Sequence, residues 1–303
     1  MRRLDPGELF ELDPDRPQLE GPVLVQALDG FIDAGAGKRL AREHLLASYE
    51  SQVVARFDVD QLLDYRARRP AMLFVEDHWE SYTDPELAIH LLHDAGGTPF
   101  LLLAGPEPDV QWERFVEAVR MIVDRLGVRL TIGLNAIPMG VPHTRPTGVI
   151  AHGSRKELVA SYEPWVNAVQ VPGTAGHLLE YRLGQAGYDA LGFAVHVPHY
   201  VAQAEYPAAA AALLAEVSKA SGLTLPLDAL EAAAATTRTA IDEQVADAPE
   251  VAAVVQALEN QYDAFVSGRG ASLLVDESSL PSADELGAEL ERFLAEQSQD
   301  PPP

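Results

Sequence analysis

Glu76-Asp77-His78-Trp79 places two carboxylates and an imidazole directly after the apolar run Ala71–Val75. Read as the end of a buried strand, this is the most reactive-looking cluster in the chain. Neighbouring carboxylates raise one another's pKa and can divide the acid and base roles between them. The plainer reading is an acidic loop with a helix cap. His143-Thr144-Arg145-Pro146 offers a guanidinium that can clamp a carboxylate or phosphate, or pair with a surface acid. Two histidine pairs, His90/His93 and His196/His199, have helical or turn spacing. The first reads as helical, with Asp94 alongside but no third ligand at metal-site spacing. In the second, His199 is the better site candidate, because strand ends open onto site rims. A structural histidine is the competing reading. Gly30-Phe31-Ile32-Asp33-Ala34-Gly35-Ala36-Gly37-Lys38-Arg39 has the strand-before, helix-after setting of a phosphate loop. Its glycine-to-lysine spacing is wrong, and Arg39 stands where a magnesium-binding Ser or Thr belongs. A tight strand-to-helix turn explains it, although a helix N-terminus there still suits an anion.

Other chemistries fall away on composition. With no cysteine among 303 residues there is no disulfide, zinc–thiolate site, iron–sulfur cluster or cysteine nucleophile. No G-x-S-x-G elbow, H-E-x-x-H pair or EF-hand loop occurs. Neither a cofactor nor a metal is expected. The net charge of −24, with Lys38, Lys156 and Lys219 as the three lysines, repels phosphate backbones and anionic membranes. Nucleic acid is therefore not expected as a partner. No apolar run reaches the roughly 18 residues of a membrane span, and acids and a proline follow Met1-Arg2-Arg3 where a signal peptide needs an apolar stretch. The expected location is the cytoplasm.

The elements that must position these residues begin with a strand at Val23–Leu28, after a proline- and acid-rich arm over residues 1–20. A helix is predicted over Ala34–Tyr49, and apolar runs follow at Val53–Phe57, Ala71–Val75 and Pro99–Ala104. Val110–Leu126 carries a helical stripe of Phe115, Val119, Ile122, Val123 and Leu126. Leu130–Ile137, Thr147–Ala151, Ala168–Val171 and Ala190–Val197 read as strands, and His177–Gln185 as a helix. Continuous apolar strands are buried on both faces. Alternating with amphipathic helices, they predict an α/β fold: a three-layer α/β/α sandwich with a largely parallel sheet. Ligand sites in such folds collect at strand C-terminal ends. Asp33, Glu76, His143, Arg145 and His199 all map to such ends and are the candidate pocket.

Beyond Pro207 the pattern is helical: Ala208–Ala220, Leu227–Val245, and a helix opening at Pro249. In the last, Val251, Val255, Leu258, Tyr262 and Phe265 are spaced as a packing seam. Ser282-Ala283-Asp284-Glu285 is a capping box for a final helix bearing Leu286, Leu290 and Phe293. Residues 226–303 hold 16 Asp and Glu against three arginines, which marks a separate acidic helical module. The expected division is an arm (1–20), an α/β domain (21–222), the helical module (223–298) and a disordered tail (299–303).

Taken together, several loops resemble the PAC2 family, the relatives of proteasome assembly chaperone 2. The GF-x-DAG turn is Gly30–Gly35. It is followed by Gly105-Pro106-Glu107-Pro108-Asp109 with Trp112, His143-Thr144-Arg145-Pro146, Gly176-His177, Pro198-His199-Tyr200 and Tyr206-Pro207. The likeness spans about residues 20–220, and the composition resembles the actinobacterial branch. It implies a phosphorylase/hydrolase-like three-layer core and homo-oligomers, a trimer being the form expected for this branch. It also implies a role with proteasome subunits. A C-terminal hydrophobic-Tyr-x docking motif, used by many such chaperones, is not at Gln299-Asp300-Pro301-Pro302-Pro303, so docking by that tail is not expected. Two functions follow: a non-catalytic, oligomeric, protein-binding or chaperone-like role, and alternatively an enzyme or small-ligand binder with a pocket at the strand ends.

Overall fold

The computed structural model describes residues 4–162 and 168–268. The predicted capping box at Ser282 and the tail 299–303 lie outside the described residues. The arm contributes a strand the sequence reading missed: β1 (Phe10–Leu12), which packs its neighbours Leu9 and Phe10 into the core. It is followed by β2 (Val23–Asp29), the helix α1 (Gly37–Ser48) and β3 (Gln52–Phe57). Next come β4 (Met72–Val75), β5 (His78–Tyr82), β6 (Ala88–His93), β7 (Pro99–Pro106), α2 (Trp112–Leu126), β8 (Leu130–Met139) and β9 (Val149–Gly153). The described chain ends with α3 (Ala175–Gln185), β10 (Ala190–Pro198), α4 (Pro207–Ser221), α5 (Asp228–Asp247) and α6 (Pro249–Val266).

Eight strands form one sheet in the order β1-β3-β6-β7-β2-β8-β10-β9. The pairs β7/β2, β2/β8 and β8/β10 are parallel, and the antiparallel partners lie toward the two edges. By these pairings β3, β7, β2, β8 and β10 run one way, so the sheet is mixed but largely parallel. Side-chain alternation along β2 divides the core in two. Val23, Val25 and Ala27 join Ala41 and Leu45 of α1 and Leu213, Leu214 and Val217 of α4. Leu24 and Leu28 join Phe115, Val119 and Ile122 of α2 and Leu179 and Leu183 of α3. The three-layer sandwich follows from that alternation. None of the described helices is long and apolar enough to cross a membrane.

Three sequence expectations are corrected. His90 and His93 lie on the strand β6, not a helix. At i and i+3 of a strand they face opposite sides of the sheet, so they cannot act as a pair. Asp94 instead organises the following turn, accepting from Gly96 N (2.9 Å), Thr98 N (2.7 Å) and, across to the α4–α5 connection, Thr224 N (2.7 Å). Ala168–Val171 is irregular rather than a strand. Ala71–Val75 is not a buried strand: β4 pairs only with β5, outside the main sheet, and all four of its residues are exposed. Length and β-propensity do not distinguish a core strand from a projecting hairpin.

His196 is buried within β10, and its surroundings push its pKa down to about 4. Only the unfolded chain then takes up this proton between the ordinary histidine value of 6.5 and pH 4. We therefore expect stability to fall across that window by up to about 3 kcal/mol and to level off below it. Denaturant titrations at stepped pH should show the loss, with His196→Gln flattening the curve. An equally steep curve in the variant would remove His196 as its source.

Candidate functional site

Asp33 does not enter a pocket. Its carboxylate accepts from Lys38 N (2.7 Å) and Arg39 N (2.9 Å) and so closes the first turn of α1. The glycines that gave this turn the look of a phosphate loop serve packing. A Cβ on Gly35, whose φ is +63°, would stand 2.7 Å from the Tyr206 side chain. One on Gly37 would stand 2.9 Å from Ala209 of α4 and 3.1 Å from Ala136 of β8. Only glycine lets the start of α1 lie this close to the sheet and α4. The consequence is that the next residue, Lys38, is turned inward and is 5% exposed.

Lys38 lines a small, partly open cavity of about 30 Å³ beyond the C-terminal half of β2, beside Gln26, Glu107, Asn135, Gly176 and His177. β2 has β7 on one side and β8 on the other. After β2 the chain leaves toward β3 on the β7 side, and after β8 it leaves toward β9 and β10 on the other, so the cavity occupies the topological switch point where such sheets take ligands. Gln26 is the buried polar residue within the apolar run 23–28 of β2, and Gly176 leaves its amide room: a Cβ there would stand 2.8 Å from Gln26 Nε2. Glu107 is buried and accepts from Ala175 N at the start of α3, where a carboxylate suits the helix dipole. Thr174 caps the same helix, accepting from His177 N at 3.0 Å. Burial pushes His177 below the usual histidine range, which keeps it neutral. Toward the surface, His152 Nδ1 lies 2.8 Å from Glu180 Oε1. Both line the cavity and also an outer groove of about 590 Å³ along α3 and the end of β9. The sequence reading quoted Lys38, Glu107 and His177 only within motifs. The polar Gln26 inside an apolar strand was the signal that a buried polar site lay nearby.

His143 and Arg145 serve the C-terminal helices. His143 Nδ1 is 2.6 Å from Tyr200 Oη and its Nε2 2.9 Å from Asp242 of α5. Thr144 Oγ1 donates to Glu259 (2.5 Å), and Arg145 clamps Asp263 with Nε at 2.9 Å and Nη2 at 2.8 Å. Tyr262 Oη donates to Pro146 O at 3.3 Å. This loop is thus a polar clasp for α5 and α6, and it also borders a groove of about 510 Å³ against α5. Of the α6 seam, Val255 and Leu258 are buried while Val251 and Phe265 are exposed. His199 stacks edge-on against Tyr200 at 5.5 Å, and its Nδ1 is buried with no partner among the described residues. The structure therefore brings His143, Arg145 and His199 to one neighbourhood around Tyr200, and leaves Asp33 in the α1 turn.

Glu76 stands apart from all of these, at the turn of the β4–β5 hairpin, with φ +50°. His78 lies 3.1 Å from Asp77 and 3.0 Å from Glu80, all of them exposed. What distinguishes the hairpin is apolar: Phe74 is 52% and Trp79 62% exposed, with rings 5.1 Å apart edge-on, and Met72, Leu73, Val75 and Tyr82 are exposed beside them.

The clasp makes a direct prediction. The Arg145 guanidinium holds the Asp263 carboxyl below the usual carboxylate range. Its support of α6 is therefore present above about pH 4 and is lost as the pH falls through the lowered value. At neutral pH Arg145→Ala should speed amide exchange across residues 249–266 while leaving β2 and β8 unchanged. Unaltered exchange in α6 would show that apolar contacts alone hold it.

Comparison with known proteins places this geometry. A Mycobacterium tuberculosis protein of unknown function, Rv2714, is 53% identical and superposes with a TM-score of 0.82, covering 89% of this chain and 94% of that one. A Corynebacterium glutamicum protein of unknown function is 39% identical, with a TM-score of 0.81 over 85% of this chain and 98% of that one. A proteasome-assembly chaperone homologue of M. tuberculosis, Rv2125, is 28% identical, with a TM-score of 0.71 over 77% and 99%. Comparison with curated proteins finds no match. The PAC2 family model matches residues 27–245, from the end of β2 through β10 and most of α5, and the chain belongs to the PAC2 family.

Proposed function

We propose that this chain is a non-catalytic, self-associating protein-binding scaffold of chaperone-like type, with proteasome subunits as the client class. The observation that carries the reading is the β4–β5 hairpin, exposed along its whole length, with an apolar β4 and with Trp79 and Tyr82 on β5. A lone hairpin is marginal in water. Its two outer edges carry unpaired backbone groups, a template for pairing with another chain. Its aromatic residues are of the type that anchors protein interfaces.

The first occupant of this surface is a second copy of the chain. Exposed Arg66 and Arg69 lie in the segment leading into β4, whereas Glu76 and Asp77 form the hairpin turn. Copies packed head-to-base bring the acidic turn of one onto the arginines of the next, a complementarity that sets register. A trimer is one ring that such a contact closes. The proteasome part of the reading rests on the 28% identity to a proteasome-assembly chaperone homologue.

Light scattering on the full chain tests the first step. The double substitution Phe74→Glu/Trp79→Glu should convert an oligomer into monomers while leaving the circular dichroism unchanged. An unchanged mass would remove the hairpin from the interface. Affinity purification of tagged wild-type protein from its native cells should enrich unassembled proteasome α-subunits. Recovery of the protein alone as a stable oligomer would leave a scaffold without that client.

A further inference from the structure

Lys38 is 5% exposed, and its Nζ has no hydrogen-bond or ion-pair partner among the described residues. A buried ammonium with no direct partner is costly, and proteins retain such a group where it has a use. The charged groups around it are each occupied elsewhere. Asp29 pairs with Arg42 at 2.5 Å, and Asp33 takes the amides of Lys38 and Arg39. Glu107 gives Oε1 to Ala175 N. Its second oxygen borders the cavity on the same side as the amine: a Cβ on Gly30 would stand 2.9 Å from Glu107 Oε2 and 3.7 Å from Lys38 Nζ. His177, kept neutral by burial, and Glu180 are the titratable groups on the α3 side. The cavity shares His152, His177 and Glu180 with the outer groove, so the two adjoin.

We propose that Lys38 captures carbonyl compounds: an aldehyde or ketone entering along the α3–β9 groove condenses with Nζ to form an imine. The amine lone pair forms the C–N bond while the C=O π pair moves to oxygen, which becomes the carbinolamine hydroxyl. Glu107 relays both N–H protons in turn: the first makes the oxygen a hydroxyl, and the second protonates that hydroxyl, which departs as water as the C=N bond forms. Amine and carbonyl give imine and water, and no oxidant or reductant takes part. The site is separate from the hairpin and does not depend on the scaffold reading. Burial favours the neutral, nucleophilic amine. It outweighs the opposing pull of Asp33, Asp29 and Glu107, is reinforced by Arg42, and leaves Lys38 below the usual lysine range.

Because Lys38, Lys156 and Lys219 are the three lysines, the chain carries its own references. The folded full-length protein is treated at pH 7 with propionaldehyde and sodium cyanoborohydride, which reduces any imine to a stable propyl-lysine, and the sites are quantified by peptide mass spectrometry. Each unit of lowered pKa raises the reactive fraction at pH 7 about tenfold. Lys38 should therefore be modified several-fold faster than exposed Lys156. Modification at the same rate as Lys156, or slower, overturns the proposal. So does a preference for Lys38 that persists in denaturant, since the fold would then not be its cause. Glu107→Gln, which keeps an oxygen for Ala175 N, should slow Lys38 several-fold with Lys156 unaffected. An undiminished Lys38 rate in that variant, with folding checked by circular dichroism, overturns the proton transfer through Glu107.

Discussion

β2 is buried on both faces, and the rest of the molecule is arranged to make that possible. Alternate residues, Val23, Val25 and Ala27 against Leu24 and Leu28, supply two separate cores, each requiring its own helical layer. The parallel neighbours β7 and β8 flank β2, and the connections that follow β2 and β8 leave toward opposite edges of the sheet; the space between them becomes the polar cavity. Gln26 alone interrupts the apolar run of β2. It borders that cavity rather than either apolar core.

The same close packing explains why Lys38 is inside. Gly35 and Gly37 bring the start of α1 against Tyr206, Ala209 and Ala136 at distances that no side chain permits. Asp33 then caps the turn. A loop rich in glycine ahead of a lysine thus has a packing cause, and the burial of the lysine is a result of it. The arrangement differs from a phosphate loop in what the backbone amides serve: two of them are consumed by the carboxylate of Asp33.

The periphery obeys a different rule. α5 and α6 are acidic helices with few buried side chains, Leu230 and Ile241 in one and Val255 and Leu258 in the other. Polar contacts from His143, Thr144 and Arg145 fix their position. Such contacts are worth less than core burial, so α6 belongs to the low-stability end of the fold. The hairpin is the converse case, an apolar element left in water. A clasp of charges thus holds an acidic module to the core, while an apolar surface faces outward elsewhere on the same chain.

The main strands and helices were legible in the sequence because burial on one or two faces imposes a period, and the period survives in residues such as Phe115, Val119 and Ile122. The family was legible because its loops carry distinctive glycines, prolines and histidines in order. Three things were not. Residues 71–75 have the composition of a core strand whether or not a sheet receives them, and pairing is decided by partners remote in sequence. His90 and His93 have a spacing that suits a helix, yet β6 is held extended by β3 and β7. The five candidate site residues share a position at strand ends, but a strand end fixes no side-chain direction. Asp33 turned to its own helix, and His143 and Arg145 to α5 and α6. The sequence by itself determined the layered fold and its family, because these rest on local periodicity and on motifs read along the chain. Only the tertiary structure decided that Lys38, Gln26, Glu107 and His177 share one cavity, because they come from separate segments and meet only once β2 is enclosed.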